Sequence, residues 1–437
     1  MSKKTKSYFF TLLFFASAIW CHGQSSYSPY SALGVGDRSG LDMVHHFAMG
    51  GLGISNGSEF YLNNVNPALL VYNKVTVFEG AVLTESKRLS TQNFNQNNFT
   101  GGIGYLVFAF PVVRSKVHPD SSQASATQRW TLSTGLMPYS TVNYESNQLG
   151  SVPGQNRELT TSVSGSGGLS QAYFANGFGL TKNLSLGLKF TYLFGTVENE
   201  TEFLVDSTNY LSALKARSIY SDVTVSTGLS YRIPLKNDLQ VNLGFTYDFG
   251  GDKDIKRQDV LERRDLVGVV ISPDSLPYVV RDNERGKVTL PNEVGFGISL
   301  EKKYKWLIGV DINTANWSAY RGFGQTQSSL EDSFEFTFGG WFTPDLFSVG
   351  SYLKRTTYRF GINYQQTPYL VNNEQINDFG INFGVSLPVK NFSSVNLGFK
   401  YGQRGNTSNN LVREQYFQAR FGFTINDNRW FIKRKFD

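Results

Sequence analysis

The stretch Leu184-Ser-Leu-Gly-Leu-Lys-Phe-Thr-Tyr-Leu-Phe194 decides the fold. Leu184, Leu186, Leu188, Phe190, Tyr192 and Phe194 fall on one parity, and Ser185, Gly187, Lys189, Thr191 and Leu193 on the other. A period of two puts each set on its own face of a β-strand and excludes a helix. The pattern recurs from about Val75 to Ile425. Val241, Leu243, Phe245, Tyr247 and Phe249 alternate with Asn242, Gly244, Thr246 and Asp248. Phe379 to Leu387, Val395 to Tyr401 and Phe417 to Ile425 repeat it.

The second parity separates two classes of β-protein. A soluble sandwich buries its apolar face and carries charge on the other. Here the non-apolar set is glycine and small polar residues with few charges, which suits a crowded interior, while rows of Phe and Tyr suit lipid. Composition agrees: 35 Phe, 23 Tyr and 43 Gly in 437 residues. A barrel hides its lipid face in alternation, so mean hydropathy stays below zero. The expected fold is all-β, a transmembrane antiparallel barrel of about 14 strands with an N-terminal plug. Segments begin near residues 73, 100, 128, 168, 184, 213, 238, 287, 304, 331, 353, 377, 394 and 414. An even number leaves both ends periplasmic. Short connections at 181–183, 234–237, 302–303 and 390–393 then fall on the periplasmic side. The longer stretches 251–286, 316–330 and 404–411 fall outside. The connection 113–127 is long on the side that should carry short turns.

Outside the barrel, residues 73–426, the sequence divides into three further parts. Residues 1–24 read as a secretory signal, with Lys3, Lys4 and Lys6 before the apolar run Tyr8 to Trp20 and small residues around Cys21-His-Gly23. Lipidation at Cys21 fits poorly with bulky Trp20 beside it. Residues 25–72 are polar, glycine-rich and poor in alternation, as a plug folded into the lumen or a disordered tail would be. Residues 427–437 form a tail whose Trp430-Phe-Ile-Lys-Arg-Lys435 suits a membrane interface. Cys21 is the only cysteine, so the mature chain has neither disulfide nor thiol nucleophile. The +6 formal charge, three of it from signal lysines, is too small to imply nucleic acid.

The inner segment ends in Asn66-Pro67-Ala68-Leu69 and passes at once into the first strand. Further on, Leu290-Pro291 opens a strand that precedes Trp306, Asp311 and Trp317-Ser318. Together these resemble the outer-membrane transporters of hydrophobic compounds, the long-chain fatty acid transporter (FadL) family, over the whole mature chain. The resemblance implies a fourteen-stranded barrel closed by an N-terminal hatch, with Asn66, Pro67 and Ala68 in the hatch and a third strand interrupted so that the wall opens sideways. Ser28-Pro-Tyr-Ser31, Gly34-Val-Gly-Asp37 and Asn428 to Lys435 look more like a Bacteroidota branch of such barrels. That branch also contains accessory subunits of secretion machinery.

Catalysis is poorly supported. The mature histidines are His45, His46 and His118, none in a strand, so no Ser–His pair is available in the wall. His45-His46 offers a metal two ligands and no third, and reads as a solvated pair. No cofactor is implied. Asp252, Asp254, Asp259, Glu262 and Asp265 alternate with Lys and Arg as in a solvated loop. Lys189, Asp248, Asp311, Glu335, Arg359, Lys400 and Arg420 fall on the lumenal parity. They either pair with one another to hold barrel and plug together, or one cation among Lys189, Arg359, Lys400 and Arg420 meets the carboxylate of an amphipathic ligand. Pro138 cannot donate to a ladder, so with Gly135 and Met137 it marks a rim bulge or a lateral opening. Three functions compete: a channel for hydrophobic or fatty-acid-like molecules, an accessory barrel that binds a partner protein, and an outer-membrane enzyme. The histidine inventory disfavours the last. The expected partners are outer-membrane lipid, a fatty-acid-like ligand or an outer-membrane protein, and not nucleic acid.

Overall fold

Alternation becomes a closed wall in the computed structural model, which describes residues 27–38, 42–113, 129–155, 157–206, 208–271, 278–389 and 392–427. The proposed signal, His118, most of the 113–127 connection and the tail beyond Asp427 lie outside the described residues. The strands are β1 (Thr76–Ser90), β2 (Asn95–Val113), β3 (Arg129–Ser151), β4 (Glu158–Gly179), β5 (Leu184–Val205) and β6 (Tyr210–Pro234). They continue with β7 (Leu239–Phe249), β8 (Gly251–Asp265), β9 (Tyr278–Leu290), β10 (Glu293–Lys302) and β11 (Trp306–Ala315). The last are β12 (Ser333–Phe342), β13 (Thr357–Val371), β14 (Glu374–Pro388), β15 (Ser394–Arg404) and β16 (Arg413–Asp427). Every pairing is antiparallel, and β16 returns to β1 from Thr76↔Asp427 to Ser90↔Arg413, which closes the barrel.

Sixteen segments make fourteen barrel strands, because two strands are each broken once. The lower half of β6 pairs with β7 and its upper half with β8, so β7 and β8 are one strand interrupted at Gly250. Opposite them, β9 and β10 are one strand interrupted at Pro291-Asn292. Proline has no N–H for the ladder, and the Gly250 amide bonds to the Asn292 side chain instead. The stretch 251–286 is therefore largely a strand pair rather than the loop its composition suggests. One face packs Ile255, Val288 and Leu290 into the apolar cluster, and along the pair charged residues replace the apolar alternation of the wall. Its acids lie on the ladder: Asp259 pairs with Arg257 and Arg281, and Glu262 with Arg264. β4 likewise starts ten residues before the sequence signal, in the small polar run Glu158–Gly167.

Facing follows parity. Phe383 and Phe421 are each 48 % exposed, while neighbouring Asn382 and Arg420 are buried. Phe383, Phe399 and Phe417 stack across β14–β16 at centroid spacings of 5.2 and 6.1 Å, a cross-strand aromatic row on the outer surface. Among the described residues no helix is long and apolar enough to cross a membrane. We call the end at which Thr76 and Asp427 meet periplasmic, as in bacterial barrels.

Candidate functional site

Glycines on the inward parity build the bed on which residues 43–72 lie. A Cβ on Gly187 would stand 2.2 Å from Ala68 N, one on Gly244 2.0 Å from Ile54 O, and one on Gly361 2.1 Å from Met49 C. Gly228 would meet the Asn66 side chain at 2.1 Å and Gly339 Met49 O at 2.3 Å. Backbone thus lies directly on backbone, which only a missing side chain permits. Alternating parity delivers these glycines to one surface from five different strands.

Asn66-Pro67-Ala68 sits on that bed. Asn66 is fully buried and N-caps the 3₁₀ turn Pro67–Tyr72: its Oδ1 accepts from Ala68 N–H, and Pro67 occupies the first helical position. Asn66 Nδ2 donates to Ile54 O within the segment and to Leu229 O in the wall. One side chain therefore ties both layers together.

Three of the seven charges placed on the lumenal parity, Asp311, Lys189 and Arg420, bond the backbone of this inner segment. Asp311 accepts from Gly53 and Ile54 N–H at 2.7 and 2.8 Å. Lys189 donates to Asn64 O, and Arg420 donates to Asp42 O with its guanidinium 3.7 Å above the Phe47 ring. Lys400 lies over Tyr416. Arg359 donates to Ser386 and covers the Tyr61 ring.

A second ionic group escaped the sequence reading. Arg404 bridges Asp37 at 2.8 Å, Asp378 at 2.9 Å and Glu414 at 3.7 Å, and Lys87 bridges Glu85 and Glu414 at 3.3 Å. All of these side chains are buried. Arg38 pairs with Glu293. Burial opposes the charge on Arg38, but Glu293 outweighs it and holds the group above its ordinary pKa. The one prior trace of this network is Asp37 within Gly34-Val-Gly-Asp37. Its partner Arg404, with Asp378 and Glu414, lies near the outer ends of strands more than 300 residues away, and Glu85 and Lys87 lie in β1, where no pattern marks them.

His45 and His46 are not a solvated pair. Both are buried in the helical turn Val44–Phe47, 4.1 Å apart by ring centroids, with His45 also 5.1 Å from Tyr61. The barrel encloses them, which a chain-local reading cannot register. Burial drives both below the ordinary histidine range, His46 to about 3, so both are neutral at pH 7. No metal-binding group of three ligands occurs among the described residues.

Two cavities flank the inner segment. One of about 240 Å³ lies mid-lumen and is lined by Asp42, Glu335, Lys400, Arg404 and Arg420. Above it Tyr30, Val35, Trp317, Leu330, Tyr369 and Leu411 pack into an apolar seal. The other, of about 180 Å³, opens at the periplasmic end among His46, Tyr61, Trp341 and Arg359.

The third strand departs from a simple wall. The β2–β3 ladder runs from Val113↔Trp130 only as far as Leu106↔Leu136. Beyond it β3 pairs with β4, with a bulge between Pro138 and Ser140, and no longer with β2. Its free edge bonds instead to the inner segment: Asp37 and Thr141 exchange N–H···O bonds, and Ser28 N–H donates to Asn143 O. Gly135 lies below this divergence, where a Cβ would stand 2.6 Å from Val107. Met137 is buried and accepts from Asn64. Gly135 is thus one residue before the end of the β2–β3 ladder, Met137 the first residue past it, and Pro138 at the bulge in the β3–β4 ladder.

The fold is shared with outer-membrane transporters. The Pseudomonas putida toluene transporter TodX superposes with a TM-score of 0.54 at 16 % identity, over 90 % of this chain and 100 % of that one. The Ralstonia pickettii toluene transporter TbuX gives 0.52 at 13 % identity, over 88 % and 98 %. A Pseudomonas aeruginosa FadL homologue gives 0.54 at 11 % identity, over 87 % and 98 %. The structural neighbours are channels, not enzymes. No curated protein matches the chain. The family model described as BamG matches residues 1–437, a different family name from the one the sequence resemblance suggested.

Proposed function

The chain belongs to the BamG family, and we propose that it is a closed outer-membrane barrel that passes nothing and serves by holding a partner protein. One observation carries this reading. The outer part of the lumen, through which an apolar passage would have to run, is tied shut by Arg404, Lys87 and their four carboxylates. A hydrophobic solute crossing there would have to displace buried ion pairs. Breaking one such pair costs about 3–5 kcal/mol. Residues 27–72 then act as a permanent plug. Outward-reaching apolar side chains offer the partner surface: Val267 is 83 % exposed on the outer hairpin and Val349 is 99 % exposed on a periplasmic turn. Isolated exposed apolar residues are ordinary, but clusters on loops mark interaction sites. Leu266 and Val269 accompany Val267, and Phe347 and Leu353 accompany Val349.

The test joins conductance with crosslinking. Purified protein should be silent in planar bilayers, and a photocrosslinker at Val267 or Val349 in native membranes should give one discrete adduct that Val269→Asp or Leu353→Asp removes. Uptake of labelled toluene or dodecanoate dependent on this chain overturns the reading.

A channel is the second reading, and the end of the β2–β3 ladder at Leu106↔Leu136 favours it. In that reading residues 27–37, which bond the β3 edge, are a gate, and a fatty-acid-like molecule leaves sideways past Pro138. Unsatisfied backbone facing lipid costs several kcal/mol per group, so such a slot needs a protein or wet border. Deleting residues 27–37 should then raise uptake. No rise in a folded barrel removes the gate.

A further inference from the structure

The periplasmic cavity has a chemistry that its surroundings do not use. Four cations line it, Arg232, Lys303, Arg355 and Arg359, against two carboxylates, Glu59 and Glu301. Both carboxylates are already occupied: Glu59 by Lys74, Lys303 and the Tyr304 hydroxyl, and Glu301 by Gln240 and Asn242. Arg359 is 6 % exposed, and its ion-pair distance to every carboxylate among the described residues exceeds the 4 Å of a salt bridge. Among the described residues its hydrogen-bond and ring partners are the Ser386 hydroxyl and the Tyr61 face, and its Nε has no acceptor. The Nε atoms of Arg232 and Arg355 are also buried without acceptors. Glu79 faces the same region: its Oε1 accepts from Leu62 N–H, its Oε2 stands 3.7 Å from His45 Nδ1 without a hydrogen-bond partner, and it attracts Arg359 only from beyond ion-pair distance. A buried guanidinium without a carboxylate is costly unless something supplies the acceptor. His45 and His46 are neutral here and offset none of its charge.

Shape and access narrow the occupant. Tyr61, Phe60, Trp341, Tyr304 and Phe392 give the cavity an aromatic wall beside the cations. Its volume, about 180 Å³, holds on the order of a dozen waters. Lipid has no side entry, because the strands around it remain paired to their periplasmic ends at Trp306↔Phe342, Phe342↔Tyr358, Thr357↔Ser386 and Pro388↔Ser394. The rim carries Lys303 and Phe392, both exposed, so the approach is from water. We infer that this cavity is a binding site for a carboxylate flanked by an aromatic or apolar side chain, presented by a water-soluble peptide segment from the periplasm. The carboxylate pairs with the Arg359 guanidinium, which lines the cavity, in a charge-assisted hydrogen bond, and the side chain packs on Trp341 and Tyr61. Only the idea that this peptide belongs to the partner rests on the partner-binding reading.

The experiment uses the full chain in nanodiscs, with N-acetyl-L-phenylalaninate as probe, N-acetyl-L-phenylalaninamide as its uncharged twin, and dodecanoate as the bilayer-borne alternative. Trp341 is the fluorescent reporter, and Trp341→Phe identifies its signal. The carboxylate should quench Trp341 saturably, and the amide should bind at least tenfold more weakly. Arg359→Gln should weaken the carboxylate at least tenfold. Lys303→Gln, on an exposed turn where the fold is safe, should weaken it about threefold. Equal binding of amide and carboxylate, or unchanged binding in both variants, overturns the site. A clear preference for dodecanoate overturns the peptide assignment. Absence of probe binding in a barrel that still crosslinks through Val267 overturns this site alone and leaves the partner-binding reading standing.

Discussion

Replacing two inward glycines, Gly187→Ala and Gly361→Ala, should dislodge the inner segment while leaving the barrel folded. Each added methyl would stand 2.2 or 2.1 Å from a backbone atom of residues 49–68, more than an ångström inside the 3.4 Å at which ordinary contact begins. Backbone has no rotamer by which to yield, so each substitution carries an overpacking cost of about 1–3 kcal/mol. The two sites are separated around the wall by β6, β7, β10, β11 and β12, so their effects should add to roughly 2–6 kcal/mol. That raises the population with the segment displaced by about 30-fold to 10⁴-fold. The control is Gly102→Ala, whose methyl meets nothing within 4 Å. There the change should be neutral or stabilising by about 0.4–1 kcal/mol through the unfolded chain. Channel openings in planar bilayers and protease nicking within residues 28–72 should both rise in the double variant, with heat-modifiable migration of the barrel retained. A double variant as silent and protease-resistant as Gly102→Ala would refute the argument that these glycines carry the segment.

Three further outcomes are expected. Phe383→Arg puts a cation on the lipid face and should lower unfolding stability by about 2–4 kcal/mol in bilayers, whereas Gln418→Arg, beside Glu85 in the lumen, should cost less; equal losses would contradict the facing. Arg404→Leu leaves Asp37, Asp378 and Glu414 buried without their shared cation and should cost about 3–5 kcal/mol in urea unfolding, and a loss below 1 kcal/mol would remove the network as the seal. His45 and His46 are held neutral when folded, so below their ordinary value of 6.5 the unfolded chain binds more protons and stability must fall as pH drops from 6.5 toward about 3. Asp42, raised by burial, works in the opposite direction, so the comparison is of slopes: thermal midpoints between pH 7.5 and 5 should fall less steeply in His46→Gln than in wild type, and identical slopes would refute the assignment.

Strand facing was legible in Leu184 to Phe194 because a lipid-facing strand must alternate along its own length, and that is a local property of the chain. Strand number and closure followed, since each lipid-crossing segment repeats the same signal. Beyond the segments that repeat the aromatic alternation the signal ends: Glu158–Gly167 and Gly251–Asp265 are strands whose sequence resembles loop. Asn66-Pro67-Ala68 stood out in sequence only through the family resemblance, and its role as cap and start of the turn Pro67–Tyr72 came from the structure. The network of Asp37, Lys87, Asp378, Arg404 and Glu414 was not legible in sequence, nor the burial of His45 and His46, nor the unpaired Nε of Arg359. Each depends on which residues the closed wall brings within about 4 Å across hundreds of positions. Alternation sets the direction of a side chain but not what stands opposite it. Barrel closure and the path of residues 27–72 through the lumen decide that, because ionic and hydrogen-bond energies depend on distance in space and not on separation along the chain.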